Sequence, residues 1–200
     1  MMVPAVSLKG MPEAADFYAE LLAEIKERVS EGARAIPEEK FRLLWDSIPM
    51  WYYLQIFTYL ERKGAVVVVS PYVHGFGTDR LDFSLLPEED KARLRWLEPT
   101  TISEGLREIA KDYLRSQVDQ NLITKQGYYE QVVKDYAVNA CIFHNNRGCK
   151  SVSLNKLDVA NYLEEKLGLP ILFIEGSNAD PRDFDEKQAL SKIDDFLATL

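Results

Sequence analysis

The stretch AVNACIFHNNRGCKSVS, residues 137–153, decides how this chain folds. Its first part, Ala137–His144, is a short apolar run carrying Val138, Cys141, Ile142 and Phe143, the composition of a β-strand buried on both faces. The apolar character then stops. His144, Asn145, Asn146, Arg147, Gly148 and Cys149 follow, residues that pack poorly and bind well, and an amphipathic helix is predicted over roughly 154–166. A buried strand that ends in a polar, sulfur-bearing loop before a helix marks the place where open α/β sheets hold their ligands.

Outward from this stretch the same grammar repeats. Toward the C-terminus, Gly168 and Pro170 close the helix, residues 171–174 read as a strand, and Asp183 with Glu186 resembles a capping box for a last helix over 185–199. Toward the N-terminus, AVVVVS at 65–70 is the least ambiguous strand, a valine run suited to the middle of a parallel sheet. Before it, 41–45 reads as a strand. Ser47 and Pro49 suit the start of a helix over 49–63 that turns Met50, Leu54, Phe57 and Leu60 inward, with Gly64 as its stop. Residues 13–31 form a helix with one apolar face, Ala15, Tyr18, Leu21, Leu22, Ile25 and Val29, ended by Gly32. Thr101 with Glu104 is a capping box for a helix to about 116, and a second helix is predicted over 123–136.

Strands alternating with helices predict an α/β fold: a flavodoxin-like three-layer sandwich around a four-stranded parallel sheet in the order 2-1-3-4. The expected organisation is a helical lead-in over 1–36 and one α/β domain over 37–200, with a helical insert at about 71–136. The long connection 71–99 leaves the carboxyl edge of the sheet and is a candidate lid.

Two hundred residues, 46% of them hydrophobic, suffice for a real core. The net charge of −8 argues against nucleic acid or an anionic membrane as partner, because there is no basic stripe to release counterions. No apolar run approaches the ~20 residues of a membrane span and no signal-peptide pattern is present, so a cytoplasmic protein is expected. There are two cysteines, Cys141 and Cys149, which is neither a disulfide framework nor a complete metal site.

In a parallel sheet the carboxyl ends of the strands share one edge. That edge gathers Asp46 and Ser47, Ser70 and Tyr72, His144 to Cys149, and Glu175 with Gly176. Arg147 and the following helix N-terminus both favour a thiolate at Cys149, Gly148 allows close backbone approach, and Asn145 and Asn146 offer amide donors and acceptors. Ser151 and Ser153 can cap the helix. Cys141, mid-strand, reads as an inert core thiol, while Cys149 reads equally as a reactive loop thiol or a bystander. His144 reads equally as a functional group or as a strand end bonded to backbone. His74-Gly75-Phe76-Gly77 is too short for a phosphate loop, and Trp51, Tyr52 and Tyr53 read as packing.

Three features together resemble the C-terminal portion of the 2-hydroxyacyl-CoA dehydratase and benzoyl-CoA reductase family. They are the loop H-x-N-R-x-C at 144–149, Ile174-Glu175-Gly176 followed by Asp180-Pro181-Arg182, and the upstream unit IPMWYYLQIFTYLERKGAVVVVSPY at 48–72. The resemblance covers about Phe17 to Leu200. It implies a [4Fe–4S] cluster with Cys149 as one ligand and the other ligands outside this chain. It also implies an acyl-CoA substrate, a homologous second subunit and an ATP-dependent activator that delivers one low-potential electron. In that frame His144 and Arg147 are the candidate catalytic residues, and Asn145, Asn146, Ser70 and Glu175 the candidate substrate-binding residues. The implied activity is radical dehydration of a 2-hydroxyacyl-CoA, with reduction of an aromatic acyl-CoA or a non-catalytic partner-binding domain as alternatives.

Overall fold

Four short apolar strands carry the fold, each with side chains to pack on both faces. The computed structural model describes residues 7–8, 11–77, 100–114 and 121–200. In chain order they form α1 (Pro12–Ser30), β1 (Phe41–Asp46), α2 (Gln55–Arg62), β2 (Ala65–Val69), α3 (Pro71–Gly77), α4 (Ile102–Leu114) and α5 (Leu122–Asp135). Then follow β3 (Ala140–Asn146), α6 (Lys150–Ser153), α7 (Lys156–Leu167), β4 (Ile171–Gly176), a 3₁₀ turn (Pro181–Asp183) and α8 (Glu186–Thr199). The sheet is parallel in the order β2-β1-β3-β4, as expected. The chain therefore adopts a flavodoxin-like α/β sandwich.

Strand alternation divides the core in two. Leu44, Val69, Cys141 and Phe143 face α5 and α7, meeting Tyr128, Tyr129, Val132, Val159 and Leu163. Leu43, Trp45, Ile142 and Ile174 face α2 and α8, meeting Ile56, Leu60, Ala189 and Ile193. Polar ties join the helices on each side. Glu130 on α5 accepts from Tyr162 (2.6 Å) and Lys166 (2.7 Å) on α7, and Lys134, Lys166 and Tyr162 together hold its carboxyl down at about 2, Lys134 most of all. Tyr59 on α2 donates to Asp194 on α8 at 2.7 Å.

The Thr101–Glu104 capping box forms: Glu104 N donates to Thr101 Oγ1 at 3.2 Å, and Thr101 N donates to Glu104 Oε2 at 3.0 Å. Gly64 and Gly168 end their helices in the left-handed region, at φ +80° and +64°.

Three local expectations are corrected. The helix predicted from Pro49 begins only at Gln55. Ser47 takes φ +85° and starts a reversal instead of capping, and residues 47–54 fold as a turn over the sheet edge with Met50 buried and Leu54 exposed. The focal strand begins at Ala140, because Val138 N still bonds Val133 O at the end of α5. It continues through His144, Asn145 and Asn146, which pair with Ile174, Glu175 and Gly176. The helix predicted over roughly 154–166 forms as α7, and the extra turn α6 precedes it, separated from it by Leu154 and by Asn155 in the left-handed region. Finally, Asp185 caps α8 by accepting from Gln188 N at 3.0 Å, so Asp183 and Glu186 are not the box.

The α1 stripe does form a face, but Leu22, Ile25 and Val29 are exposed among the described residues, as are Ile102, Leu106 and Ile109 of α4. Residues 78–99, the larger part of the candidate lid, lie outside the described residues, as do most of the lead-in before α1 and the end of the helix predicted to reach 116.

Candidate functional site

Because all four strands run the same way, the carboxyl edge brings one set of loops together. Asn146, the last residue of β3, is buried and organises the turn that follows. Its Oδ1 accepts from Gly148 N at 3.0 Å and its carbonyl accepts from Ser153 Oγ at 2.7 Å, while its Nδ2 is enclosed without a partner among the described residues. Arg147 N donates to Gly176 O at 2.9 Å, which locks the turn to the end of β4. Gly148 sits against the β4 loop so closely that an added Cβ would lie 2.9 Å from Asn178 Oδ1. Asn178 is itself fixed, since its carbonyl accepts from Trp51 N at 3.1 Å.

Cys149 ends this turn as the residue preceding α6, partly exposed. Cys141 is fully buried, and burial pushes its thiol well up, as befits an inert core sulfur. The surroundings of Cys149 differ from expectation in two respects. Arg147 is engaged elsewhere, with Nε 3.3 Å from Glu175 Oε2 and Nη1 3.8 Å from Asp183. The helix that follows is a single turn, so it adds few aligned peptide dipoles. Ser153 caps nothing, being spent on Asn146 O.

The predicted site residues fall into three groups. Asn145, Arg147 and Glu175 come together at the rim, with Asn145 Nδ2 donating to Glu175 Oε1 at 2.5 Å. Arg147 and Glu175 border a shallow pocket with Arg182, Asp183 and Lys192. Ser70, at the end of β2, stands three strand spacings from Glu175 on β4, about 14 Å by ordinary sheet geometry. The two do not share a small site. His144, 0% exposed, is not at the rim surface. Its Nδ1 lies 2.8 Å from the Ile48 carbonyl, which can only accept, so Nδ1 carries the hydrogen. Its Nε2 faces the Gly176 backbone, 3.3 Å from where a Cβ on that glycine would stand. The ring packs beside Trp45, and burial lowers its pKa.

The buried group at the centre of the edge was not singled out from the sequence. Lys156, the first residue of α7, places Nζ 2.5 Å from Asp46 Oδ2 and 2.6 Å from the His144 carbonyl. Tyr129 donates to the other Asp46 oxygen. Both ends of the ion pair are under a tenth exposed. Asp46, Ser47, Lys125, Tyr129, Ser151 and Lys156 line a small pocket beside the pair, and the Ser47 hydroxyl is enclosed there without a partner among the described residues. A signal for Lys156 does exist: it shares the buried stripe of α7 with Val159, Ala160 and Leu163.

A pH response follows from the two histidines. His144 and His74 are both held below the ordinary value, chiefly by burial. The unfolded chain therefore takes up protons near pH 6.5 that the native chain does not, and stability falls as pH drops below that point. The depressed carboxylates Glu130, Asp180 and Asp194 act only in the lower window below about 4. Urea midpoints are expected to drop between pH 7.5 and 5.5; a flat profile there contradicts a buried His144 and a half-buried His74 held neutral in the native chain.

Among the described residues no three His, Cys, Asp or Glu side chains gather as a metal-binding set. The partly exposed thiol of Cys149 is the one cysteine sulfur these residues leave accessible, which by its chemistry can hold no more than one ligand position. Nor, among those residues, is any helix long and apolar enough to cross a membrane.

Fold and edge together define a flavodoxin-like domain that presents a single thiol at the carboxyl edge of its parallel sheet. The family model for the 2-hydroxyglutaryl-CoA dehydratase D-component matches residues 1–200, and the chain belongs to that family. It is 28% identical over 194 residues to the (R)-phenyllactyl-CoA dehydratase alpha subunit of Clostridium sporogenes, covering 96% of this chain and 42% of that protein. It is 25% identical over 198 residues to a benzoyl-CoA reductase subunit of Thauera aromatica, covering 96% and 42%. With the (R)-2-hydroxyglutaryl-CoA dehydratase alpha subunit of Acidaminococcus fermentans it shares 23% over 201 residues, covering 100% and 37%. The chain thus spans about two fifths of the length of these curated relatives.

Proposed function

We propose that this chain is the C-terminal, thiol-presenting portion of a subunit that dehydrates 2-hydroxyacyl-CoA thioesters. The observation that carries the reading is Cys149 itself. It is the accessible member of the two cysteines and stands on a turn held by two loops of the carboxyl edge, in a chain matched along its whole length by the dehydratase family. Cys149 supplies one ligand to a [4Fe–4S] cluster whose other ligands come from outside this chain. When bound, the cluster supplies one low-potential electron, delivered by an ATP-dependent activator.

The chain's own residues bind and orient. Asn145, Arg147 and Glu175 form the polar rim that meets substrate, and Asn146 sets the turn. His144 acts as a positioning residue, since its enclosed ring ties the 47–54 turn to β3 through the Ile48 carbonyl. Ring reduction of an aromatic acyl-CoA is the second reading, favoured by the comparable identity to the reductase relative.

The test is anaerobic assay of the full polypeptide with its homologous partner subunit, the activator and ATP. The expected result is loss of water from an (R)-2-hydroxyacyl-CoA to give a 2-enoyl-CoA. A diene from benzoyl-CoA transfers the protein to the second reading. Neither product from a cluster-loaded assembly overturns both, leaving a partner-binding domain.

A further inference from the structure

We infer that Lys156 is a positioning residue for Cys149: its buried ammonium, bridging Asp46 and the His144 carbonyl, fixes where the turn that carries the thiol stands. This rests on the reading of Cys149 as the functional thiol.

The segment between β3 and α7 has no fully buried side chain of its own. From Arg147 to Asn155 no residue is buried, and α6 contributes none. A buried polar residue stands at each end, Asn146 before it and Lys156 after it. The segment is therefore held by hydrogen bonds and not by an apolar anchor. At its start Arg147 N bonds Gly176 O and Gly148 N bonds Asn146 Oδ1; in its middle Ser153 Oγ bonds Asn146 O. At its far end Lys156 Nζ reaches two strands at once, Asp46 on β1 at 2.5 Å and His144 on β3 at 2.6 Å.

An apolar side chain at 156 would bury comparable surface against Phe143, whose ring already lies 5.8 Å from Nζ. Apolar contact is non-directional, whereas an ammonium between two fixed acceptors sets the approach of α7 and hence closes the segment at one length. A buried ion pair is a poor device for stability alone and a good one for fixing register. A metal ligand has to be held within roughly 0.5 Å of its productive place, which is the demand such a clamp meets.

The test separates placement from folding. Asp46→Asn/Lys156→Met removes both charges of the pair, and Tyr129 can still donate to position 46. Hydrogen exchange of the metal-free full polypeptide is followed by mass spectrometry, alongside maleimide labelling of Cys149, with buried Cys141 as the internal control. The expected result is exchange roughly tenfold or more faster across 147–155, the scale of losing a hydrogen bond to a charged group. The strands should stay protected, Cys149 should label at a changed rate and Cys141 should stay unlabelled. Exchange across 147–155 that is unchanged, or that rises only in step with the strands, overturns the inference. Should Cys141 label in the double variant, Lys156→Arg takes its place. That variant keeps the charge beside Asp46 and displaces the donor from the His144 carbonyl, and it is judged by the same two outcomes. Neither readout involves iron, so failure here leaves the cluster reading standing, and failure of the cluster reading leaves this result standing.

Discussion

Lys156→Met is expected to destabilise the folded chain by about 3–5 kcal/mol, because it removes one partner of a buried ion pair and leaves the other charge enclosed. Asp46 is 5% exposed, and with Lys156 gone its carboxylate loses its 2.5 Å ion-pair partner while keeping the Tyr129 hydroxyl. Methionine conserves most of the volume, so a cavity contributes little to the loss. Urea unfolding of the variant should show a lower midpoint at an unchanged slope. Adding Asp46→Asn should recover most of the loss, since the stranded charge is its cause. A loss below about 1 kcal/mol, the range of an exposed pair, would show that this pair is open to water.

Gly148→Ala comes second, and it acts on the turn directly. The new methyl would stand 2.9 Å from Asn178 Oδ1 and 3.4 Å from both Asn146 Oδ1 and Ser177 Oγ. Asn178 cannot retreat as a whole, because its carbonyl is held by Trp51 N, and Asn146 is held by its bonds to Gly148 and Ser153. Either the Asn178 side chain rotates away or the β3 and β4 loops part. The obstructing atom is the tip of a partly exposed side chain, so the cost falls at the low end of overpacking, about 1 kcal/mol. Thermal unfolding should register the loss, and Gly148→Ala/Asn178→Gly, which removes the obstructing amide, should restore the transition. If the second substitution restores nothing, the contact with Asn178 is not what excludes a side chain at 148.

The sheet was legible because its strands are short apolar runs bounded by turn residues and separated by helices, a pattern with one common topological solution. AVVVVS and ACIF could be read from composition alone. The errors share a cause, which is that local chemistry was read without its tertiary partner. Ser47 with Pro49 has the residues of a helix start, yet Met50 is worth more to the core as part of a turn covering Trp45 and His144, and Ser47 accepts a left-handed backbone to place it. Asn145 and Asn146 look like a loop until β4 offers partners two residues beyond the apolar run. That extension points His144 inward, where the sequence suggested a rim. The Asp46–Tyr129–Lys156 group joins three residues far apart in the chain, so no spacing rule reveals it. The lysine on an apolar helix stripe is its one local trace.

The account depends on Cys149 rather than Cys141 being the sulfur that meets the cluster. The direct measurement is iron, sulfide and visible absorbance of the anaerobically reconstituted full assembly carrying Cys149→Ser or Cys141→Ser. The account predicts a weakened or absent cluster with Cys149→Ser and a cluster of normal content with Cys141→Ser. A full cluster in the Cys149→Ser assembly would contradict it.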